Sequence, residues 1–458
     1  MASNQQPSGG LDLNNVQGDI LLDGLAKRNE TFFFFKIKEA KNFCEKLSKA
    51  ADEITHTLHS TSARENITNN RGNGIVPTVG ANIAFSFQGL QKMSSLLDDL
   101  PLETQDSSFE AGMKAAAASL QDPMNSETSE PAWESPYLNQ DIHGVILVAG
   151  SSDAIVEEKL QKLTGIFGSS LDEVHQVSGK VRPGKNKGHE HFGFLDGVSE
   201  PAVDGVNPSG TIPPGQDTVP QGVILCGRPG DRIPHPAWMT DGSFLCFRKL
   251  KQNVQDWNKF LMDASNQLGT WSGQLGSRLI GRWQSSCPVM SSPHFDDKNI
   301  AADPNRVNNF EFDKDQFECP LGAHIRKMNP REDIGRSAVN QFRVLRRGIP
   351  YGEEVDEDPS GERGLLFVCY QSNIDFGFAF LQQSWANNPD FSQPGSGLDA
   401  VMGQSNSKKT VDMKGLFPQD AERPLALFGI NRFVVPKGGE YFFTPSMSAL
   451  RTTLSNVK

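Results

Sequence analysis

Thr31 to Ala50 reads TFFFFKIKEAKNFCEKLSKA, and Ser243 to Ala264 reads SFLCFRKLKQNVQDWNKFLMDA. Each opens on an apolar run suited to a β-strand and turns at once into a stretch of helical spacing, at Phe43, Leu47 and Ala50 in the first copy. The second copy lies about 212 residues after the first. A further pair agrees: HGVILVAGSSDAIVEEKLQKL (His143 to Leu163) and RGLLFVCYQSNIDFGFAFLQQSW (Arg363 to Trp385), about 220 residues apart, both read strand, turn, helix. In the first half, NIAFSFQGLQKMSSLL (Asn82 to Leu97) alternates Ile83, Phe85 and Phe87 with small or polar residues before becoming helix-compatible. Two similar offsets predict a duplicated α+β unit, each half a ferredoxin-like antiparallel sheet with peripheral helices.

The halves are placed at 1–205 and 240–458. Between them, 206–239 is crowded with Pro and Gly and predicts an ordered but irregular connection. The Ser/Glu/Pro-rich stretch from Glu103 to Pro136 and the acidic GEEVDEDPSGE from Gly352 to Glu362 read as solvated surface. A chain of 458 residues with 44 Lys+Arg against 55 Asp+Glu has a net charge of -11, which argues against a protein that neutralises phosphates on nucleic acid or lipid. No run approaches the ~18 apolar residues of a membrane helix. The first residues, MASNQQPSGG, have neither the cationic nor the apolar region of a secretion signal. The six cysteines form no CxxC pair, so neither a zinc cluster nor a dense disulfide framework is expected. Against 29 Phe there are only 4 Tyr and 6 Trp, so each Tyr and Trp can be weighed as a redox-active side chain.

Three local patterns bear on chemistry. In HFGFLDGVSEP (His191 to Pro201) an Asp-Gly pair alone is an ordinary turn. Phe192, Phe194 and Leu195 around Asp196 predict a carboxyl with a raised pKa, able to act as a base. In CPLGAHIRKMNPR (Cys319 to Arg331), His324 with Arg326, Lys327 and Arg331 nearby suits a haem iron and its propionates, although spacing alone favours a structural His beside surface charges. In RVLRRGIPYGEE (Arg343 to Glu354), Arg346 and Arg347 precede a Gly-Ile-Pro turn ending in Tyr351.

Together these patterns resemble the dye-decolourising haem peroxidases, in particular their fungal-type branch. GFLDG (Gly193 to Gly197) is similar to the family's GxxDG motif, AHIRKMNPR (Ala323 to Arg331) to the segment bearing the proximal His, and LRRGIPYG (Leu345 to Gly352) to the segment bearing the distal Arg. The resemblance runs in order from Asp196 to about Asp399, and it implies the family's dimeric α+β barrel-like fold with one haem b per chain. It implies Asp196 as distal acid–base and Arg346 as distal cation, with Arg347 the fallback because adjacent strand residues face opposite ways. His324 would be the axial ligand of the haem iron, its other N–H on Asp399 from SGLDAVMG, with Arg326 toward the cofactor's carboxylates. Leu365 and Phe367 would cap the distal pocket.

The implied reaction uses H2O2 to oxidise dyes, phenolics and other aromatic donors in one-electron steps, through surface Tyr351 and Trp385. The acids Glu353, Glu354, Asp356, Glu357 and Asp358 beside Tyr351 are candidate ligands for Mn2+ as a substrate ion. The resemblance implies a mature extracellular form, with which the sequons Asn29-Glu-Thr31 and Asn66-Ile-Thr68 are compatible. A monomer or homodimer is expected, with no nucleic-acid or membrane partner. The competing reading is a haem-binding or iron-handling protein without peroxidase turnover, which would need His324 but not Asp196 and Arg346. A chlorite-converting enzyme would keep the Arg but lack the acid.

Overall fold

The computed structural model describes residues 10–97, 100–139, 141–206, 211–314, 316–405, 409–412, 416, 426–430 and 432–457. Its strands in chain order are β1 (Asn29–Ile37), β2 (Val79–Phe85), β3 (Gly144–Gly150), β4 (Leu171–Lys180), β5 (Ala202–Val203), β6 (Thr218–Val219), β7 (Ser243–Gln252), β8 (Leu345–Arg346), β9 (Ile349–Tyr351), β10 (Gly364–Gln371), β11 (Lys409–Asp412), β12 (Ala426–Ile430) and β13 (Val434–Thr444). Nine of them form one sheet in the order β4-β1-β3-β2-β13-β7-β10-β8, with β9 also on β10. Counting β8 and β9 together as a second strand, each half has the spatial order fourth, first, third, second. That is the ferredoxin-like arrangement, present twice as the repeat predicts.

The halves meet where Phe443 of β13 faces Phe85 of β2. At the far edges β4 lies against β9, so close that a Cβ on Gly179 would fall 2.4 Å from Cγ2 of Ile349. The sheet therefore curls into a barrel. Phe32 and Phe34 point into it and each meets Phe247 of β7 at a ring-centroid distance of 5.0 Å. These contacts cross the barrel interior, because β1 and β7 are not sheet neighbours. Phe35, on the opposite face, packs on Phe43 of the helix Ala40–Ala50 at 5.6 Å, and Phe43 stacks on Phe167 of the helix Asp153–Phe167 at 4.5 Å. With both faces of β1 buried, its run of four Phe has no need to alternate with polar residues.

The helix Ala40–Ala50 buries Phe43, Cys44, Leu47 and Ala50, the stripe its spacing predicts. Its counterpart Val254–Leu268 buries Trp257 and Leu261 and ends at Gly269, whose φ of 73° is the left-handed conformation that glycine adopts without strain. The stretch from Glu103 to Pro136 differs from the expected solvated loop. It holds the short helices Ser107–Ala111 and Met113–Ala116, and it buries Phe109, Met113, Ala117, Leu120 and Trp133. The three- to four-residue spacing of the apolar side chains from Phe109 to Leu120 outweighs its polar composition. All six cysteines are free and buried, and among the described residues no helix is long and apolar enough to cross a membrane.

Candidate functional site

In the C-terminal half the outer face of the sheet borders a cavity of about 270 Å3, lined by Leu250 and Gln252 of β7, Leu365 and Phe367 of β10, and Val434 of β13. Leu366, Val368 and Tyr370, the alternate residues of β10, belong to the barrel core. Leu365 and Phe367 thus face the cavity rather than the barrel core.

One wall is the short helix His324–Met328. At about 100° per residue, His324, Ile325 and Met328 share a side and line the cavity, while Arg326 and Lys327 turn away. The expectation that Arg326 holds a cofactor carboxylate is therefore corrected. Its side chain has no exposed surface, and Nε and Nη2 donate to the two Asp333 oxygens at 2.7 and 2.8 Å, while Nη1 donates to the Cys319 carbonyl at 2.6 Å.

His324 Nδ1 meets Asp399 Oδ2 at 2.8 Å. Asp399 is wholly buried, and its Oδ1 accepts from the amides of Val401 at 2.8 Å and Met402 at 2.7 Å. Burial pushes the imidazole down, but the charge and hydrogen bond of Asp399 outweigh it and hold His324 above its ordinary value. Burial pushes Asp399 up, and His324 with the two amides holds it below the usual carboxylate range. With Nδ1 committed to a carboxylate, Nε2 is left for the cavity.

Asp196 and Arg346 also line the cavity. Arg346 Nη1 donates to Asp196 Oδ1 at 2.7 Å, and its Nη2 pairs with Glu200 Oε1 at 2.7 Å. Asp196 Oδ1 also accepts from the Gly197 amide at 2.7 Å. The expected rise in the Asp196 pKa is not found. Burial does push the carboxyl up, but the Arg346 guanidinium and the Gly197 amide outweigh it and hold Asp196 below its ordinary value. Arg347 faces the other way, donating to the carbonyls of Asp19, Ile20 and Leu22 at 2.6 to 3.1 Å.

Two more cavity-lining arginines, Arg282 and Arg331, form no direct ion pair with a carboxylate among the described residues. Arg282 Nη1 donates to the carbonyls of Ser286 and Val307 at 2.8 Å, and Arg331 Nη1 donates to those of Asn308 and Phe310 at 2.9 and 2.8 Å. Burial, then the charge of Arg331, pushes Arg282 down to about 9; burial, then the charge of Arg336, pushes Arg331 down to about 10. Two buried guanidinium groups without counter-charges suit a dianionic ligand. Arg331 stands in a motif already singled out, whereas nothing in the sequence marks Arg282.

Tyr351 and Trp385 are not surface residues, being 7% and 2% exposed. The Tyr351 hydroxyl donates to Glu362 at 3.0 Å. Trp385 stacks on Phe391 at 4.7 Å and lies 5.6 Å from Phe342, which lines the cavity. The acidic loop does not gather into a cation site, contrary to the Mn2+ expectation. Glu354 is taken by Arg182 through two contacts of 2.7 and 2.6 Å, and Asp358 Oδ1 accepts from Ser360 and Gly361 of its own turn. Among the described residues, the one trio of His, Cys, Asp or Glu side chains close enough to share an ion lies elsewhere.

The cavity therefore joins a carboxylate-backed imidazole, a carboxylate–guanidinium pair and two uncompensated cations against an apolar floor, a donor set that fits haem. Residues 15–183 match the family described as "DyP dimeric alpha+beta barrel domain", and residues 192–394 match "Dyp-type peroxidase, C-terminal". A dye-decolorizing peroxidase of Mycetinis scorodonius is 41% identical, covering 99% of this chain and 90% of that protein. One from Auricularia auricula-judae is 38% identical, covering 97% and 87%. Among solved structures, an ancestral D-type dye decolorizing peroxidase superposes with a TM-score of 0.88 at 45% identity, covering 98% of this chain and all of that one. A dye-decolorizing peroxidase complex with 2,6-dimethoxyphenol gives 0.83 at 38%, covering 97% and 100%. The chain belongs to the DyP-type peroxidases and, within them, to the fungal-type dye-decolorizing enzymes.

Proposed function

We propose that the cavity holds haem b, with His324 Nε2 on the iron and Arg282 and Arg331 toward the propionates, and that the enzyme uses H2O2 to oxidise dyes and phenolics. Bound haem would supply the two-electron reduction of H2O2 and withdraw electrons from donors one at a time. The observation that carries the reading is the His324–Asp399 pair facing Asp196 and Arg346 in one cavity. Asp399 keeps the His324 proton on Nδ1 and leaves the Nε2 lone pair available. Asp196, ionised beside Arg346, would take a proton from one peroxide oxygen and return it to the oxygen that leaves as water. Such a positioned base contributes roughly 10²–10⁴-fold. Arg346 stays charged throughout and stabilises negative charge as the O–O bond polarises, a contribution of about 2–4 kcal/mol for one preorganised donor. Glu200 fixes its second nitrogen.

Bulky dyes exceed a cavity of this size, and Tyr351 and Trp385 act as buried relays toward the surface. The 5.6 Å approach of Trp385 to Phe342 supports this, as does the Asp399 amide donating to the Ala386 carbonyl at 2.9 Å, one residue from Trp385. Tyr351→Phe and Trp385→Phe lower turnover of bulky dyes more than of small phenols; equal loss on both removes the relay. The division at 1–205, 206–239 and 240–458 belongs to the same reading, supported by the repeated strand order. So does action outside the cell, for which Asn66 gives an exposed sequon, whereas Asn29 is buried in β1.

The test is an absorbance spectrum of the haem-loaded protein before and after H2O2. A Soret band that is lost in His324→Ala, and whose response to peroxide slows in Asp196→Asn, is the expected result. A correctly folded protein that takes up no haem overturns the reading.

A further inference from the structure

Cys226, Asp231 and His235 lie in the segment between the two halves, and none of them lines the haem cavity. One ligand atom from each falls within 4.8 Å of the other two. Cys226 is wholly buried, and the side chains of Asp231 and His235 are 4% and 1% exposed.

The tautomer of His235 is set by its surroundings. Nδ1 lies 3.1 Å from the Thr104 carbonyl, which only accepts, so Nδ1 carries the proton and donates it. Nε2 is then the lone-pair nitrogen; it is buried and makes no hydrogen bond of good geometry, although the Ser372 backbone also bears on the ring. It lies 3.6 Å from Asp231 Oδ2, another acceptor. With the carboxyl ionised, two acceptor atoms face each other in a dry interior, an approach that a positive centre between them would stabilise. Cys226 Sγ stands on the same spot, 3.5 Å from the Ser372 carbonyl. The Asp231 carboxylate is held in place by the amides of Gly227 at 2.7 Å and Ile233 at 3.2 Å.

We infer that Cys226, Asp231 and His235 bind a structural zinc ion, with the Ser372 carbonyl at the fourth position. Zinc bonds of roughly 2.0–2.3 Å to nitrogen, oxygen and sulfur put tetrahedral ligand atoms about 3.3–3.7 Å apart, and the Nε2 to Oδ2 distance already lies in that range. A thiolate, a carboxylate and a neutral imidazole bring two negative charges, so a divalent ion leaves the buried cluster neutral. The sulfur ligand selects zinc over magnesium, calcium or manganese. On binding, the Cys226 thiol gives up its proton to solvent and the Sγ–Zn bond forms, with no change of oxidation state.

The site would clamp the inter-half segment to the end of β10 through Ser372, while Nδ1 ties it to Thr104. Its role is to hold these three segments together, and it takes no part in peroxide chemistry.

The experiment uses the full-length, haem-loaded protein, dialysed against Zn2+ and then against metal-free buffer, with zinc counted against iron by mass spectrometry. One zinc per chain, absent from Cys226→Ser and His235→Gln, is the expected result. A wild-type protein that retains no zinc, or variants that retain as much as the wild type, overturns the inference. In case the variants do not fold, the wild type is also loaded with Co2+. A thiolate-to-cobalt charge-transfer band, together with a Tm that falls on prolonged EDTA treatment and returns with Zn2+, supports the site. Absence of the band, or a Tm indifferent to EDTA and Zn2+, refutes it.

Discussion

Replacing Asp399 by Asn tests the proposed haem ligation at its least exposed point. Asp399 Oδ1 accepts two backbone amides, from Val401 and Met402, and only Oδ2 serves His324. An Asn at 399 keeps its single carbonyl oxygen where the two amides are, because turning it round would bury two unpaired N–H groups at about 1–3 kcal/mol each. Its NH2 then faces His324 Nδ1. A donor there forces Nδ1 to accept and moves the imidazole proton to Nε2, the nitrogen that must present a lone pair to iron. The charge-assisted bond lost is worth about 1.5–3 kcal/mol, and at 1.4 kcal/mol per decade that is roughly 10–100-fold, the range seen when the partner of a metal-bound His is removed. Haem affinity is read by titrating the haem-free variant and following the Soret band, with a thermal scan to show that the fold persists. A folded Asp399→Asn protein that binds haem as tightly as the wild type, with the same spectrum, refutes the assignment. Asp399→Ala is the contrast: it also strands both amides and lowers Tm beyond the Asn variant.

Arg346→Leu removes the cation that holds Asp196 below its ordinary value, so the acid limb of kcat/KM for H2O2 moves to higher pH; an unmoved limb excludes Asp196 as the titrating base. Asp106 is fully buried, and burial, reinforced by Asp375, pushes its carboxyl up to about 7. Between its ordinary value and about 7 the native state holds a proton that the unfolded chain has released, so stability falls as pH rises through that window, by at most about 4 kcal/mol. Urea unfolding at pH 5 and pH 8 should show the fall in the wild type and a flatter profile in Asp106→Asn, which keeps the cap on the Phe109 amide; parallel profiles would count against it. Phe247→Ala empties the barrel centre where Phe32, Phe34 and Tyr137 converge, costing about 3–5 kcal/mol, and a Tm within a degree of wild type would show that those contacts do not carry the core.

The duplication was legible because each first strand runs straight into its own helix, and strand–helix units leave a local pattern. The run Phe32 to Phe35 could be read as a strand, but only the barrel explains why it lacks alternation. The site was less legible, since His324 and Asp399 are 75 residues apart and Asp196 and Arg346 are 150 apart, distances at which only the order of motifs carries information. Arg326 misled because closeness in sequence is not closeness in space: two residues on from His324, a helix has turned about 200°. Asp196 misled for the complementary reason. Its apolar neighbours are visible in the sequence, whereas Arg346, which reverses their effect, arrives from another strand.

The duplication also accounts for where the cavity sits. In the N-terminal half the outer face of the sheet is packed with Phe35, Phe43, Phe85 and Phe167, with ring separations of 4.5 to 6.3 Å. In the C-terminal half, Trp257 of the corresponding helix packs instead against Phe192 at 4.9 Å and Phe433 at 5.3 Å, leaving Leu365 and Phe367 of β10 bordering the cavity. The long connection from Gly281 to Val344, which has no equivalent length between the first helix and second strand of the N-terminal half, supplies Arg282, His324, Arg331 and Arg343 to the far wall. One copy of the unit thus supplies packing, and the other has exchanged part of its packing for a polar lining. The end of the N-terminal half adds Asp196 from one side, so the cavity is completed by residues that precede and follow β7 in the chain. A change that loosens this connection, rather than either sheet, is therefore the one that separates loss of haem from loss of fold.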